Sequence, residues 1–424
     1  MSRHDQKRSA DDALGEALSE LGVETVFGAS TCGSLAQCPV PEHWASLFAD
    51  VWSRLAGGFG AAFVGDSILY VSSQLGGSAV PTVVHDPEDL LIALNSLVAE
   101  PAPVAVAFDI QFDRNAPLGR EVDQDVVRHH TMMLSPEMQQ LNITAVVGTL
   151  FQRPANSDQL DMLLNRGLGV ATSSGALGVL QSRDPRHLGI VGLHERDIEL
   201  AGLVSSDVVL WSGVDTSELD EGALRPALVQ HIHPVQLGDS VARFEGSVVS
   251  SPSRLSATID ELVAHHRRQE TCGLIDYAFH LGGARPYGTL IGVDRCDRGA
   301  ALVRVMPIDE PGAVHIPPRP IEGFSLALAI VAQRSGRQAV AVTSSQPEVV
   351  AELRELAKSL DVELQVQRFV DGPGLTTEEH LSHTVGQFET ARPSTVDIAL
   401  RVDELDRLHE CVGPALNATS GSNR

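Results

Sequence analysis

Three things are scarce or missing in this chain of 424 residues: cysteine in any pattern, a surplus of positive charge, and long apolar runs. The five cysteines, Cys32, Cys38, Cys272, Cys296 and Cys411, are odd in number and scattered, with no C-x-x-C spacing. That argues against a disulfide framework or a thiolate zinc site, and it fits a reducing cytoplasm. Lys and Arg total 31 against 55 Asp and Glu, a net charge of -24. Nucleic acid demands clustered cations to neutralise its phosphates, and an anionic membrane surface attracts the same cations, so neither partner is expected. No apolar run reaches bilayer-spanning length. The opening MSRHDQKRSADD holds no apolar stretch, so no secretory signal is expected there.

What is present is ample Val, Leu and Ala, enough for sizeable cores, in a chain whose length predicts two or three domains. Leu14, Leu18 and Leu21 share one face of a helix that Gly22 ends, and Val23–Phe27 follows as a short apolar run. Further runs at Ala61–Val64, Ile68–Val71, Pro81–Val84 and Val104–Ile110 alternate with helices at Glu42–Leu55 and Pro87–Ala99. Strands spaced by helices of this length predict a parallel α/β sheet. The charged stretch 112–128, with Asn115, Pro117 and Gly119, reads as a linker. A second α/β unit opens with Ile143–Val147 and a helix at Ser157–Arg166, and continues through Gly167–Thr172, a helix at Asp197–Leu203, and strands at Val208–Ser212 and Gln230–Val235. A third carries a helix within Ile321–Gly336, a strand at Gln338–Val342, a helix at Glu348–Leu360 and a strand at Val362–Phe369.

Several of these residues carry a resemblance. A helix, the segment GVETVFG from Gly22 to Gly28, then Pro41-Glu42 leading an Ala-rich helix with Trp52-Ser53-Arg54 and Gly57-Gly58, resembles the pyrimidine-binding domain of thiamine diphosphate-dependent enzymes. In the second unit, Asp184-Pro-Arg-His-Leu-Gly-Ile-Val-Gly-Leu-His194, Ser206-Asp-Val-Val-Leu-Trp-Ser-Gly213 and His231-Ile-His-Pro234 resemble the central domain of the acetohydroxyacid synthase branch. Ile321–Gly336 resembles the helix at which that family's diphosphate domain reaches the cofactor. Composition predicts disordered tails at 1–12 and 414–424, and the resemblance implies three doubly wound parallel-sheet domains: pyrimidine-binding at 13–113, central at 134–267 and diphosphate-binding at 271–413. It also implies at least a dimer, a homodimer or tetramer or a hetero-oligomer with a related chain, because the pyrimidine half of one chain faces the diphosphate half of another.

The same resemblance implies the chemistry. Thiamine diphosphate brings its own reactive carbon, and the protein orients and tunes it. Glu42 stands where the family keeps the glutamate that hydrogen-bonds the aminopyrimidine ring, and a small 2-oxo acid is the implied substrate, for decarboxylation or acetolactate synthase-like carboligation. Without that role, Glu42 is a carboxylate stabilised in the first turn of a helix after Pro41. Gly323, Thr343, Ser344 and Ser345 fall where the family binds the diphosphate. The chain departs from the family in Pro41, where the family has His, and in Val51, which replaces a helix glycine. The largest departure is Thr343-Ser344-Ser345 in place of G-D-G, which removes the charged ligand of an octahedral Mg²⁺. Val370-Asp371-Gly372 offers Asp371 as a substitute metal ligand, although Asp-Gly-Pro-Gly also reads as a plain turn.

Three functional expectations follow: a self-sufficient enzyme, a non-catalytic paralogue that binds or regulates, and a chain lending Glu42 to an intact diphosphate domain on a partner. Other candidates read as ordinary structure. Gly57-Gly-Phe-Gly60 and Gly167-Leu-Gly169 are turns, and Ser173-Ser174 lacks the frame of a nucleophile elbow. The pairs His129-His130, His231-x-His233 and His265-His266 lack partners at metal spacing, and Asp109, Asp113 and Asp123–Asp125 read as solvated.

Overall fold

The computed structural model describes residues 10–65, 68–72, 81–84, 89–90, 92–93, 104–108, 140–152, 156–182, 184–214, 218–224, 227–232, 234, 237–238, 241, 247–249, 253–266, 271–371, 376–389, 394–401 and 403–416. The expected linker at 112–128, most of the expected helix 87–99, His129, His130, His233, Asp109, Asp113 and residues 123–125 lie outside them. The fold is α/β, with parallel-strand sheets flanked by helices, in two compact units, Met1–His129 and His130–Arg424. Among the described residues no helix is long and apolar enough to cross a membrane.

Unit 1 is one six-stranded sheet. In chain order its strands are β1 (Thr25–Phe27), β2 (Ala36–Cys38), β3 (Gly60–Val64), β4 (Ile68–Ser72), β5 (Pro81–Val84) and β6 (Val104–Phe108), laid side by side as β2-β1-β3-β4-β6-β5. Helix α1 (Ala10–Glu20) puts Leu14 and Leu18 into the core with Val26, Phe63 and Leu69. It begins at Ala10, so the expected tail is shorter than twelve residues. Helix α2 (Glu42–Ala56) buries Trp44, Leu47, Phe48 and Val51. It lies so close to β3 that a Cβ on Gly60 would stand 1.9 Å from the Ala49 carbonyl oxygen. One strand departs from the parallel expectation: β4 runs antiparallel to both β3 and β6. A parallel neighbour needs a crossover of a dozen residues or more, and only residues 65–67 separate β3 from β4.

Unit 2 holds two sheets. The central one comprises β7 (Gln140–Val147), β8 (Gly169–Ser173), β9 (His187–Val191), β10 (Val208–Ser212) and β11 (Leu228–His231), in the order β11-β10-β7-β8-β9, with β12 (Ser247–Val249) also paired to β7. The third comprises β13 (Leu290–Val293), β14 (Val314–His315), β15 (Ala339–Thr343), β16 (Gln365–Phe369) and β17 (Ser394–Ile398), in the order β14-β13-β15-β16-β17. Among the described residues every strand pairing in these two sheets is parallel. One apolar cluster runs through both, from Val146, Leu193 and Trp211 to Leu281, Val293 and Val342.

Polar groups also tie the two sheets of unit 2. Arg304, on helix α7 (Asp297–Val305) of the third sheet, reaches Asp197, at the head of a short helix after β9. Their separation is 2.5 Å and both side chains are almost fully buried. The same Asp197 oxygen accepts the N–H groups of Leu193 and His194, each at 2.8 Å. Arg295 lies fully inside, its guanidinium donating to the carbonyls of Gly192, Pro317 and Leu416. Burial pulls it down to about 10, which leaves it charged at neutral pH. The expected tail from 414 is therefore shorter too. Leu416 donates to the Leu193 carbonyl at 2.8 Å, and Glu195 donates to that of Pro414 at 3.1 Å.

Two outcomes follow. Arg304→Met strands the buried Asp197 carboxylate and should cost about 3–5 kcal/mol of stability in urea unfolding of the full chain. His187, buried in β9 beside the Thr172 hydroxyl, is pulled down by burial from 6.5 to about 4. As pH falls from about 6.5 towards 4 the unfolded chain takes up a proton that the folded chain refuses, so stability falls across that window. His187→Gln should remove about 2–3 kcal/mol of the loss between pH 7 and 4.5, read by urea midpoints at the two values.

Candidate functional site

Glu42 is the first residue of α2, after Pro41, whose extended backbone (φ -52, ψ 142) turns the chain into the helix. The carboxylate is exposed and, among the described residues, takes no hydrogen bond or ion pair. It lies over the end of β3, where a Cβ on Gly65 would stand 3.2 Å from its Oε1. Val51, at the place of the family's helix glycine, is fully buried against the core.

In unit 2 the sheet order decides where a ligand would sit. The third sheet starts at β13, adds β14 on one side and then crosses to β15 on the other. Ligands of open α/β sheets bind outside the carboxyl ends of the strands at such a reversal. Three segments meet there: Asp294 directly after β13, Thr343-Ser344-Ser345 ending β15, and the start of helix α8 (Phe324–Arg334). Gly323 caps α8 in the left-handed region (φ 76), which a side chain would strain.

These segments share a single anion, and it belongs to the chain. Asp294 is buried, 4% exposed. Its Oδ1 accepts the Ser325 N–H at 2.9 Å. Its Oδ2 accepts the Thr343 hydroxyl at 2.6 Å, the Ser345 hydroxyl at 3.0 Å and the Ser344 N–H at 3.1 Å. Ser345 Oγ in turn accepts the Gly323 N–H at 3.1 Å, while Ser345 N–H donates to Thr343 Oγ1 at 3.0 Å. So Gly323, Thr343, Ser344 and Ser345 do come together, around a residue that sequence reasoning missed. Beside them Cys296 caps α7, its Sγ accepting the Gly299 N–H at 3.3 Å, and burial pushes this thiol up.

The arrangement does not fit a diphosphate with Mg²⁺. The donors that would grip a phosphate already face Asp294, and the Asp294 oxygens are surrounded by protons instead of offering lone pairs to a cation. Among the described residues no group of three or more His, Cys, Asp or Glu could hold a metal. Asp371 is not part of the cluster: it is 74% exposed and accepts from Arg298. The reversal point of the central sheet, between β7 and β10, is closed by backbone. A Cβ on Gly148 would stand 2.1 Å from the Gly213 carbonyl oxygen. A surface depression lined by Gln333, Arg334 and residues 360–363 sits at the amino ends of β15 and β16, away from Asp294. Of the histidines, His266 lies 3.0 Å from both Asp276 and Glu404, and His231 pairs with Glu221 at the surface.

Asp294 went unnoticed because β13 is only four residues long, too short for a periodicity. The signal that would have found it is a carboxylate directly after an apolar run, Leu290-Ile-Gly-Val-Asp294. Thr343→Val removes a donor from this buried carboxylate and should cost about 1.5–3 kcal/mol in urea unfolding. Ser344→Ala should cost less, about 0.5–1 kcal/mol, because Ser344 grips Asp294 through its backbone and its exposed hydroxyl reaches, among the described residues, only the Cys296 thiol.

No protein-family model matches the sequence, and no curated protein matches it either. The chain is similar in fold to the X-ray structure of a "putative thiamin diphosphate-dependent enzyme isolated from Mycobacterium smegmatis", at a TM-score of 0.61 and 13% sequence identity, covering 93% of this chain and 100% of that one.

Proposed function

We propose that this chain serves thiamine diphosphate chemistry on a 2-oxo acid by supplying Glu42 to a cofactor whose diphosphate is held by a related partner chain. The observation that carries this is a contrast between two carboxylates. Glu42 is exposed and, among the described residues, unengaged at the head of α2, whereas Thr343, Ser344 and Ser345, expected to bind diphosphate, are committed to Asp294. The fold likeness to an enzyme described as thiamin diphosphate-dependent supports the cofactor class. Thiamine diphosphate would supply the nucleophilic carbon. Glu42 would share a proton with a nitrogen of the aminopyrimidine ring, which needs an ionised, accessible carboxylate and nothing else from this chain.

A second reading is a self-sufficient homodimeric or tetrameric enzyme, decarboxylating or acetolactate synthase-like. It is favoured by the convergence of Gly323, Thr343, Ser344 and Ser345 at the strand-order reversal. Calorimetry separates the two. On the first reading the purified chain gives no binding heat with thiamine diphosphate, with or without Mg²⁺, and 2-oxo acid turnover appears on mixing with a chain that carries an intact diphosphate domain. Glu42→Gln should lower that turnover about 100-fold or more while leaving assembly intact. Tight binding by the chain alone selects the second reading. Turnover indifferent to Glu42→Gln leaves the chain a regulatory subunit.

A further inference from the structure

We infer that Asp294 is a built-in anion which closes an otherwise complete phosphate seat at the start of α8. Four donors converge on it, two backbone N–H groups (Ser325 and Ser344) and two hydroxyls (Thr343 and Ser345). A helix N-terminus with converging N–H groups recognises negative charge whether carboxylate or phosphate brings it. Ser325 Oγ, fully buried in the first turn of α8, has no hydrogen-bond partner among the described residues. Ser325 thus gives the carboxylate its N–H and keeps a buried hydroxyl over, a group that an anion with more oxygens could take up. The way in lies at Ser344, whose side chain is exposed while its neighbours Thr343 and Ser345 are buried. With Asp294 in place a phosphate would meet a like charge and donors already engaged, so the wild-type chain refuses it.

Removing the carboxylate should open the seat. The probe is inorganic pyrophosphate, followed by calorimetry and by thermal unfolding of the full chain. Wild type should show no saturable heat and no rise in unfolding midpoint. Asp294→Ala should start less stable, bind pyrophosphate at least about tenfold more tightly than wild type, and regain midpoint as pyrophosphate is added. Adding Ser345→Ala to that variant should weaken the binding, which ties it to this seat. If Asp294→Ala cannot be purified, Asp294→Asn keeps the volume and turns an amide towards the donors. Hydrogen exchange at the Ser325 and Ser344 amides should then rise about tenfold and fall again with pyrophosphate. Pyrophosphate binding by wild type as tight as by Asp294→Ala overturns the inference, and so does a purified Asp294 variant that gains none. Neither result bears on Glu42, whose role stands or falls with turnover in the mixed assembly.

Discussion

Where donors from several segments converge on one buried spot at a strand-order reversal, something that accepts hydrogen bonds has to stand there. In the third sheet of this protein that something is Asp294. Four donors from two segments end on its two oxygens, and a fifth, the Gly323 N–H, is satisfied one step removed through Ser345. Buried without an acceptor, each would carry a desolvation penalty of about 1–3 kcal/mol, so the loop ends of β13 and β15 and the head of α8 could not meet as they do without an anion. Most α/β folds leave that vacancy to a ligand. This chain fills it from within.

The same solution recurs through unit 2. Arg295 threads three backbone carbonyls from segments far apart in sequence, at Gly192, Pro317 and Leu416. Those carbonyls belong to the end of β9, the approach to α8 and the last described residues, so a charge that would be costly alone becomes the fastener between the two sheets. Arg304 and Asp197 work alike, with Asp197 also taking two N–H groups of the turn before it. At the other reversal point, Gly148 and Gly213 press backbone against backbone. The two reversal points are therefore filled from within, by charge in one and by close packing in the other.

Much of the architecture was legible in the sequence, because long periodic helices and β-branched runs report burial directly. The helix starting at Glu42, the strands at Pro81–Val84 and Val208–Ser212 and the βαβ pattern from 339 to 369 all stand within a few residues of expectation. Strands of three and four residues, β2 and β13, left no periodic trace, and with β13 went Asp294. The hairpin of β3 and β4 was hidden for another reason: apolar runs show that strands exist, and only the connection length shows their direction. The site was half legible. Position along the chain picked out Gly323, Thr343, Ser344 and Ser345 as neighbours, but their common partner sits on another strand about 30 to 50 residues earlier, and hydrogen-bond partners across a sheet leave no mark on local sequence.

A carboxylate is chemically available to the extent that its lone pairs are free. Asp294 has both oxygens on donors of its own chain, so its work is to organise structure. Glu42 is its opposite, an exposed acid at a helix N-terminus with no partner among the described residues. Among the described residues of unit 1 the core does not use that side chain, since the residues α2 commits to it begin at Trp44. A carboxylate without a partner among the described residues, at the head of a helix packed into the core, is held in place and left unspent. Those are the two properties required of a group that acts on something outside its own chain.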